Sequence, residues 1–315
     1  MNQSFNARLP GLAILWLILL SMPYWIGLVG GYTDLASRLL IIGLAAMATN
    51  LLVGHSGVMA FGHAAYFGLS AYTTGLVINH WMPSTPLAFV AGVLMGTLGG
   101  ALVGFLLAKL RGIYFALATI AFGQVFFFIA FRWNAVTGGD NGLTFQRQPI
   151  DLGLLRIDLT HSLPYYYTAL AVFAVCAAAM AMILRSPFGH TLLAMRENER
   201  RARFLSIPVN RHLWMAYTVS CVFVAVAGSL YGMLNNFVSP HDLHWTQSGD
   251  FVLMAVIGGM RSFWGPLLGA AIFVVAQDYL SSLTQNWMFF IGLIFVLVVL
   301  FLPRGIAGLL QRRGA

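Results

Sequence analysis

Residues 86–108 read PLAFVAGVLMGTLGGALVGFLLA, and this stretch decides the fold. It carries no Asp, Glu, Lys or Arg, and a helix of about 20 such residues crosses a hydrocarbon core of about 30 Å. Gly92, Gly96, Gly100 and Gly104 fall at every fourth position, which places them on one face of that helix. Small residues at this spacing let helix backbones approach closely in a membrane. The stretch predicts a spanning helix with one tightly packed face.

Comparable apolar stretches recur along the whole chain. They lie at about 11–30, 36–53, 58–79, 86–108, 113–131, 165–184, 213–235, 265–282 and 286–303, with a shorter one at 250–260. The composition agrees, because 59% of the 315 residues are hydrophobic and 8% are charged, against about a quarter charged in soluble domains. No segment alternates apolar and polar residues as the strands of a membrane β-barrel do. The sequence predicts an all-α, polytopic transmembrane helix bundle.

The basic residues predict which loops face the cytoplasm, since loops rich in Lys and Arg are retained there. The stretch 185–212 contains six Arg, whereas 132–164 carries three Arg balanced by three Asp. We place Arg8 and the N-terminus inside, and counting spans then makes 185–212 a cytoplasmic loop and 132–164 an external loop. Both belong to a single transmembrane domain that covers residues 1–315.

The number of spans depends on the short stretch 250–260. Arg304, Arg312 and Arg313 lie inside only if 250–303 crosses the membrane an odd number of times. We therefore predict ten spans with both termini in the cytoplasm and a short or partly re-entrant crossing at 250–260. Nine spans with an external C-terminus is the alternative.

The sequence lacks the motifs of an enzyme. It contains no phosphate-binding Gly-rich loop, no metal-ligand spacing and no nucleophile elbow, so we predict no catalytic residues, no cofactor and no metal. Ion-coupled transporters place charged residues in mid-membrane, and here we find only Asp278, near a span end, and the histidines as candidates. A membrane protein that neither hydrolyses nucleotide nor carries coupling charges must take energy from a partner or let solute run downhill. The net charge of +8 follows from topology and needs no nucleic acid.

The stretch 185–212 has the pattern of a docking helix. Leu192, Met195, Ala202 and Leu205 fall at spacings of three, seven and three, and charged residues fill the positions between them. Pro187 precedes this pattern and Pro208 follows it. A solvated loop and a helix that lies on the membrane surface are the alternatives.

Four blocks of the sequence resemble the high-affinity branched-chain amino acid permease family of ATP-binding-cassette (ABC) importers. They are Gly54–Gly57 with Phe61–Gly68, Thr137–Gly142, Ser186–Ile207 and Ile257–Pro266. The third block includes Ser186-Pro187-Phe188-Gly189 and Arg196-Glu197-Asn198-Glu199, similar to the family's cytoplasmic coupling loop. The chain departs from the family at Val58, where Gln is usual, at Ala60 for Ser, at Ser206 for Gly, and at Met260-Arg261 for Leu-Gly.

The resemblance implies a transport subunit that is not itself an enzyme, in the inner membrane of a bacterium. Two permease subunits, identical or homologous, form a central path through the lipid bilayer. A periplasmic binding protein delivers the solute, and separate cytoplasmic ATPase subunits drive alternating access. Amino acids, branched-chain ones first, are the expected solutes, and urea or short amides are the alternative. A channel or uniporter shares the missing charges but does not need a docking segment, and a membrane enzyme needs catalytic residues that are missing here.

Three sets of site residues follow. The resemblance implies ATPase coupling by Gly189, Arg196, Glu197, Asn198, Glu199, Ala202 and Leu205, with the apolar members filling a groove on the ATPase. Polar groups inside spans usually face the bundle interior, so the translocation path is predicted at Asn50, His63, Tyr66, Thr73, Thr119 and Gln124; interhelical hydrogen bonds are the alternative role. The external turn predicts binding-protein contacts at Gly138, Gly139 and Asn141, with a plain loop turn as the alternative.

Overall fold

The computed structural model describes residues 9–81, 84–151, 156–302 and 305–312, and most of these residues are helical, which confirms the predicted all-α, polytopic class. The helices are α1 (Leu9–Trp25), α2 (Thr33–Ser56), α3 (His63–His80), α4 (Thr85–Leu107), α5 (Gly112–Arg132), α6 (Asn134–Thr137), α7 (Ser162–Arg185), α8 (Pro187–Glu197), α9 (Glu199–Phe204), α10 (Val209–Asn235), α11 (Trp245–Gly258), α12 (Gly265–Leu283), α13 (Trp287–Phe301) and α14 (Gly305–Arg312). The two-residue strands are β1 (Leu143–Thr144), β2 (Ile150–Asp151), β3 (Arg156–Ile157) and β4 (Phe237–Val238).

Within the described residues, six helices are long and apolar enough to cross a membrane, namely α2, α4, α5, α7, α10 and α12. Shorter apolar helices lie at Ala13–Trp25 within α1 and at Trp287–Val298 within α13. The outward faces expose large apolar side chains such as Leu98, Leu102 and Phe105 on α4, a surface suited to lipid. The ten-span count and the cytoplasmic termini stay predictions, and Arg8, Arg304 and Arg313 lie outside the described residues.

The glycine stripe of α4 packs against α10 in an antiparallel register. Each added Cβ would crowd a side chain of α10: Gly92 faces Ser229, Gly96 faces Ala225, Gly100 faces Cys221 and Gly104 faces Tyr217. A Cβ at Gly100 would lie 2.5 Å from the Cβ of Cys221, well inside van der Waals contact. The prediction of a tightly packed face on this helix is confirmed.

Helices α2 and α10 form the centre of the bundle. The apolar stretch of α2 is almost wholly buried, and α10 is buried over most of its length. Ser220, near the middle of α10, donates a hydrogen bond from Oγ to the Ala48 carbonyl of α2 at 2.6 Å. This contact marks the level halfway along α10, with which the positions of other helix ends can be compared.

Two helices begin near that level instead of at a bundle end. Helix α3 starts at His63, and residues 57–62 ahead of it are not helical; the predicted span 58–79 therefore starts five residues too early, because Gly57 adopts φ +73° and ends α2. Helix α11 starts at Trp245, and Ser248 Oγ in its first turn accepts a hydrogen bond from the Ala64 backbone N–H at 2.7 Å. The starts of α3 and α11 thus lie side by side inside the bundle.

A buried arginine fixes the loop at the far end of the bundle. The guanidinium of Arg147 donates hydrogen bonds to the carbonyls of Met233 and Thr160 at 3.3 and 3.1 Å. It also lies 4.4 Å from the ring centroid of Tyr165, in a cation–π arrangement. Strand β1 of this loop pairs with β4, which follows α10, and β2 pairs with β3 within the loop, in both cases antiparallel.

Helix α9 ends in a Schellman turn. The Ser206 N–H donates to the Arg203 carbonyl at 2.9 Å and the Ile207 N–H to the Ala202 carbonyl at 3.2 Å. Ser206 takes the left-handed position with φ +60°, where glycine is strongly preferred because it has no Cβ. Ser206, where the family pattern has Gly, therefore adds backbone strain at the end of α9.

We expect Gly100→Ala to lower the free energy of unfolding by about 1–3 kcal/mol, because the new methyl group forces α4 away from α10. Thermal unfolding of the detergent-solubilised protein measures this. Gly292→Ala on α13 is the matched control, since its Cβ would meet open space. An equal loss of stability in both variants would show that the α4 stripe is not a close-packed seam.

We expect Ser206→Gly to raise the free energy of unfolding by about 1 kcal/mol, because glycine adopts a positive φ without steric strain. The same thermal unfolding measurement tests it. Ser206→Ala is the control, since it removes the hydroxyl and keeps the strain. A gain in the alanine variant as large as in the glycine variant would contradict the explanation.

Candidate functional site

The segment that follows α7 forms two short helices instead of one. The amphipathic pattern predicts a continuous helix over 191–205, but Asn198 is extended (φ −159°, ψ 100°) and separates α8 from α9. Its side-chain oxygen accepts a hydrogen bond from the Arg201 N–H at 3.0 Å, so Asn198 is the N-cap of α9, a position that Asn favours. At the other end, any side chain at Gly189 would collide with the Leu184 carbonyl, which makes the corner between α7 and α8 tight.

The apolar face of this segment packs on the protein itself. Leu192, Met195 and Ala202 are buried, in one cluster with Leu213 and Tyr217 of α10. The prediction that these three side chains fill a groove on a partner is therefore wrong, because α10 already covers the apolar face of α8 and α9.

The exposed apolar residues of the segment lie at its tip. Phe204 is 87% exposed and Leu205 is 75% exposed, so of the predicted apolar contacts only Leu205 is open to a partner. The amphipathic pattern does not include Phe204, because this residue does not fall on the same side as Leu192 and Met195. Glu197, Asn198, Arg200, Arg201 and Arg203 are exposed beside this tip.

Glu199 connects the segment to the start of α5. Its Oε1 accepts hydrogen bonds from Arg111 Nε at 2.7 Å and from Arg203 Nη2 at 2.5 Å. Partial burial raises the pKa of Glu199, but the hydrogen bonds and charges of these two arginines outweigh it and hold the pKa below its ordinary value. Arg111 also donates to the Ala108 carbonyl at 2.7 Å and to Asn210 of α10, so one side chain connects α4, α9 and α10.

Arg196 points inward, to the end of α2. Its Nη1 donates a hydrogen bond to the Gly54 carbonyl, and a Cβ at Gly57 would lie 2.8 Å from Arg196 Cγ. The family pattern groups Arg196 with Glu197, but the structure places the glutamate on the surface and the arginine against α2.

Four of the predicted path residues are buried in contacts with neighbouring helices or loops. Ser220 already donates its proton to Ala48, so His63 Nε2 is the donor in the 2.9 Å contact with Ser220. Tyr66 accepts a hydrogen bond from Tyr217 at 3.1 Å, Thr119 Oγ1 accepts from the Phe61 N–H at 3.1 Å, and Asn50 donates to the Ser262 carbonyl at 3.4 Å. A path along these four side chains is not supported, because none lines open space; Thr73 and Gln124 are partly exposed.

An accessible polar face lies on α11. Thr246 is exposed, Asp250 is partly exposed one turn further on, and a Cβ at Gly249 would meet nothing within 4 Å. The charge at Asp250, at the start of the predicted short crossing, was the signal that could have found this face. Arg38 was also overlooked: it lies inside predicted span 36–53 and donates to Gln277 of α12 at 3.2 Å.

The external turn contains two glycines with positive φ. Gly138 has φ +77° and Gly139 φ +61°; Gly139 is buried, whereas Asn141 is exposed. Backbone geometry therefore explains both glycines, and Asn141 is the predicted contact residue that a partner could reach.

Near this turn, a cavity of about 610 Å³ is lined by Ile78, Asn79, Thr144, Phe145, Gln146, Gln148 and Asn236. Among the described residues, no group of three or more His, Cys, Asp or Glu side chains could hold a metal ion.

Comparison with known proteins places these features in a family. Residues 31–299 match the family described as "Branched-chain amino acid transport system / permease component". The chain is 28% identical to the high-affinity branched-chain amino acid transport system permease protein LivM of Escherichia coli, over 97% of this chain and 75% of that protein. LivM of Salmonella typhimurium is 26% identical over 94% of this chain and 74% of its own length.

A relative named for a different transport system is also similar. The autoinducer 2 import system permease protein LsrC of an Enterobacter species is 25% identical, over 96% of this chain and 86% of that protein. No solved structure matches the chain. The family match covers most of the chain, so this multi-pass membrane protein belongs to the branched-chain amino acid permease family of ABC importers.

Proposed function

We propose that the chain carries amino acids, branched-chain ones first, through the bacterial inner membrane as one of two permease subunits of an ABC importer. ATP hydrolysis takes place in separate ATPase subunits, and a periplasmic binding protein delivers the solute. The similarity to the two LivM proteins supports this solute class, and the similarity to LsrC keeps other solutes, with urea and short amides, as the alternative. The topology that fits this role has ten crossings and cytoplasmic termini.

The observation that carries the proposal is the exposed apolar tip at Phe204 and Leu205. Two adjacent large apolar side chains at 87% and 75% exposure are unfavourable in water, and partner proteins cover such positions at interfaces. The tip is held firmly, because α8 and α9 pack on α10 and Glu199 is bonded to Arg111. A rigid base with an apolar tip is suited to transmit force from an ATPase.

The charged residues around the tip fit an interface rim. Glu197, Arg200, Arg201 and Arg203 are exposed beside it, and charges at a rim fix the register and orientation of a partner more than the affinity. We propose that the tip enters a pocket on the ATPase, with these charges around it. This replaces the predicted contact through Leu192, Met195 and Ala202.

The open face of α11 supports a path between two permease subunits. A carboxylate that faced lipid at the depth of Asp250 would cost several kcal/mol, so we propose that the face with Thr246, Gly249 and Asp250 lines a hydrated path. A second permease subunit closes the other side of that path. The binding protein docks on the external loop, where Asn141 is accessible.

We expect the double change Phe204→Asp with Leu205→Asp to reduce copurification of the ATPase by about tenfold or more, because it places charge in an apolar contact. Phe204→Leu is the matched control and keeps an apolar side chain at the tip. Glu197→Lys tests the rim in the same assay. Ala202→Arg is unsuitable, because it inserts a charge into a buried position of the permease. Copurification of the double aspartate variant at the level of the unchanged chain would contradict the docking proposal.

We expect leucine or valine, presented on the binding protein, to stimulate ATP hydrolysis by the complex reconstituted in proteoliposomes with its candidate ATPase. Acidic amino acids and urea, presented in the same way, are the comparison solutes. Stimulation by urea alone would replace the amino acid class with the amide class. Solute uptake that proceeds without the ATPase would favour a channel or uniporter, and equal hydrolysis with every solute would contradict the proposed import function.

A further inference from the structure

We propose that Arg196 is a positioning residue that transmits movement of the proposed coupling segment, α8 and α9, to residues 57–62 and to α11, through its hydrogen bond to the Gly54 carbonyl. The inference rests on the proposed function, because it needs an ATPase that moves α8 and α9. It assigns to Arg196 a role inside the permease, in place of a contact with the ATPase.

The hydrogen bond satisfies a carbonyl that α2 itself leaves open. Helix α2 ends at Ser56, so the Gly54 carbonyl is among the last four of the helix, which have no partner within it. Arg196 lies in the last turn of α8 and donates Nη1 to that oxygen. A charged donor at a helix C-terminus also interacts favourably with the helix dipole. Arg196 therefore connects the end of one helix to the end of another.

Gly54 is also where the loop after α11 approaches α2. A Cβ at Gly54 would collide with the Met260 carbonyl and with the side chain of Asn50. Asn50 in turn donates to the Ser262 carbonyl at 3.4 Å. Arg196 thus holds the point at which α2 and the loop that ends α11 are in contact.

The chain beyond Gly54 leads directly to the start of α3. Gly57 packs against Arg196 and begins the non-helical residues 57–62. The hydrogen bond from the Phe61 N–H to Thr119 fixes the far end of residues 57–62. The bond from the Ala64 N–H to Ser248 of α11 fixes the first turn of α3. A shift of Arg196 therefore acts on residues 57–62 directly and on α11 at both of its ends.

The other arginines of the segment are placed differently. Arg200, Arg201 and Arg203 are exposed, and Arg203 is bonded to Glu199 of its own helix. Arg196 is partly buried and crosses from α8 to α2. Among the arginines of α8 and α9 in the described part of the chain, Arg196 is the one that donates a hydrogen bond to a membrane-spanning helix, whereas the rim charges make no such contact.

A thiol at residue 59 reports the movement. Met59 lies within residues 57–62 and is 53% exposed, whereas the native thiols Cys176 and Cys221 are buried. We measure the rate at which a maleimide modifies Met59→Cys in the complex with ATPase, without nucleotide and with ATP on a hydrolysis-deficient ATPase. With Arg196 present we expect the two rates to differ by about fivefold or more, the range typical of coupled sites.

Arg196→Gln should reduce this difference to below about twofold, while the ATPase still copurifies through the intact tip. Arg196→Lys keeps a charged donor and should give an intermediate value, and Arg211→Gln, an exposed arginine at the start of α10, should leave the difference unchanged. A full nucleotide-dependent difference in Arg196→Gln would overturn the inference, and so would a full difference in Arg196→Met, which has no donor, if the glutamine variant does not fold.

The proposed function fails in a recognisably different way. If the ATPase does not copurify with the unchanged chain, both the ATPase coupling and the role of Arg196 are overturned. If it copurifies but Met59→Cys shows no nucleotide-dependent difference with Arg196 present, only the role of Arg196 is overturned. If the difference is present with Arg196 and persists without it, the coupling stands and only the role of Arg196 is overturned. Thermal unfolding of each variant separates a loss of transmission from a loss of folding.

Discussion

Backbone inside a membrane bundle has no bulk water to bond, so every interruption of a helix there must be satisfied by the protein. Residues 57–62 and the chain ahead of α11 are such interruptions, and three bonds fix backbone N–H groups in or next to them: Phe61 N–H to Thr119, Ala64 N–H to Ser248, and Ser239 N–H to the Asp242 carboxylate at 2.8 Å. These bonds form only where helices lie close together. The contact of Gly92–Gly104 with α10 holds α4 and α10 this close together along the whole helix pair.

The same rule organises the end of the bundle where the coupling segment lies. The last carbonyls of α2 need donors, and Arg196 provides one; the turn before α5 needs them too, and Arg111 donates to Ala108 and Leu110 at 2.7 Å. Arg196 itself belongs to α8, and Arg111 is connected to α9 through Glu199. The helix ends thus become attachment points for the coupling segment, and its tip at Phe204 and Leu205 is left free.

Periodic, strongly apolar features could be predicted from the sequence, and features set by tertiary contacts could not. The glycine stripe of α4 required only a spacing, and the apolar helices only length and composition. The break at Asn198 depends on the competition between helix continuation and an N-cap, and the amphipathic pattern does not decide it. That pattern also identifies an apolar face without identifying what covers it, which is why Ala202 was assigned to a partner. Arg38 was overlooked because one charge hardly alters an apolar stretch.

Residues that discriminate between solutes must face open space. Ala60 is fully buried, so the hydroxyl that the family pattern has there would face protein, and its loss alters packing before it alters the path. His63 and Tyr66 are likewise occupied by Ser220 and Tyr217. Helix α11 has 14 residues, about 21 Å at 1.5 Å per residue, which is too short to cross the hydrocarbon core alone. In the proposed path between two permease subunits, the second subunit closes the open face with Asp250, so the identity of that subunit bears on solute choice as directly as this chain does.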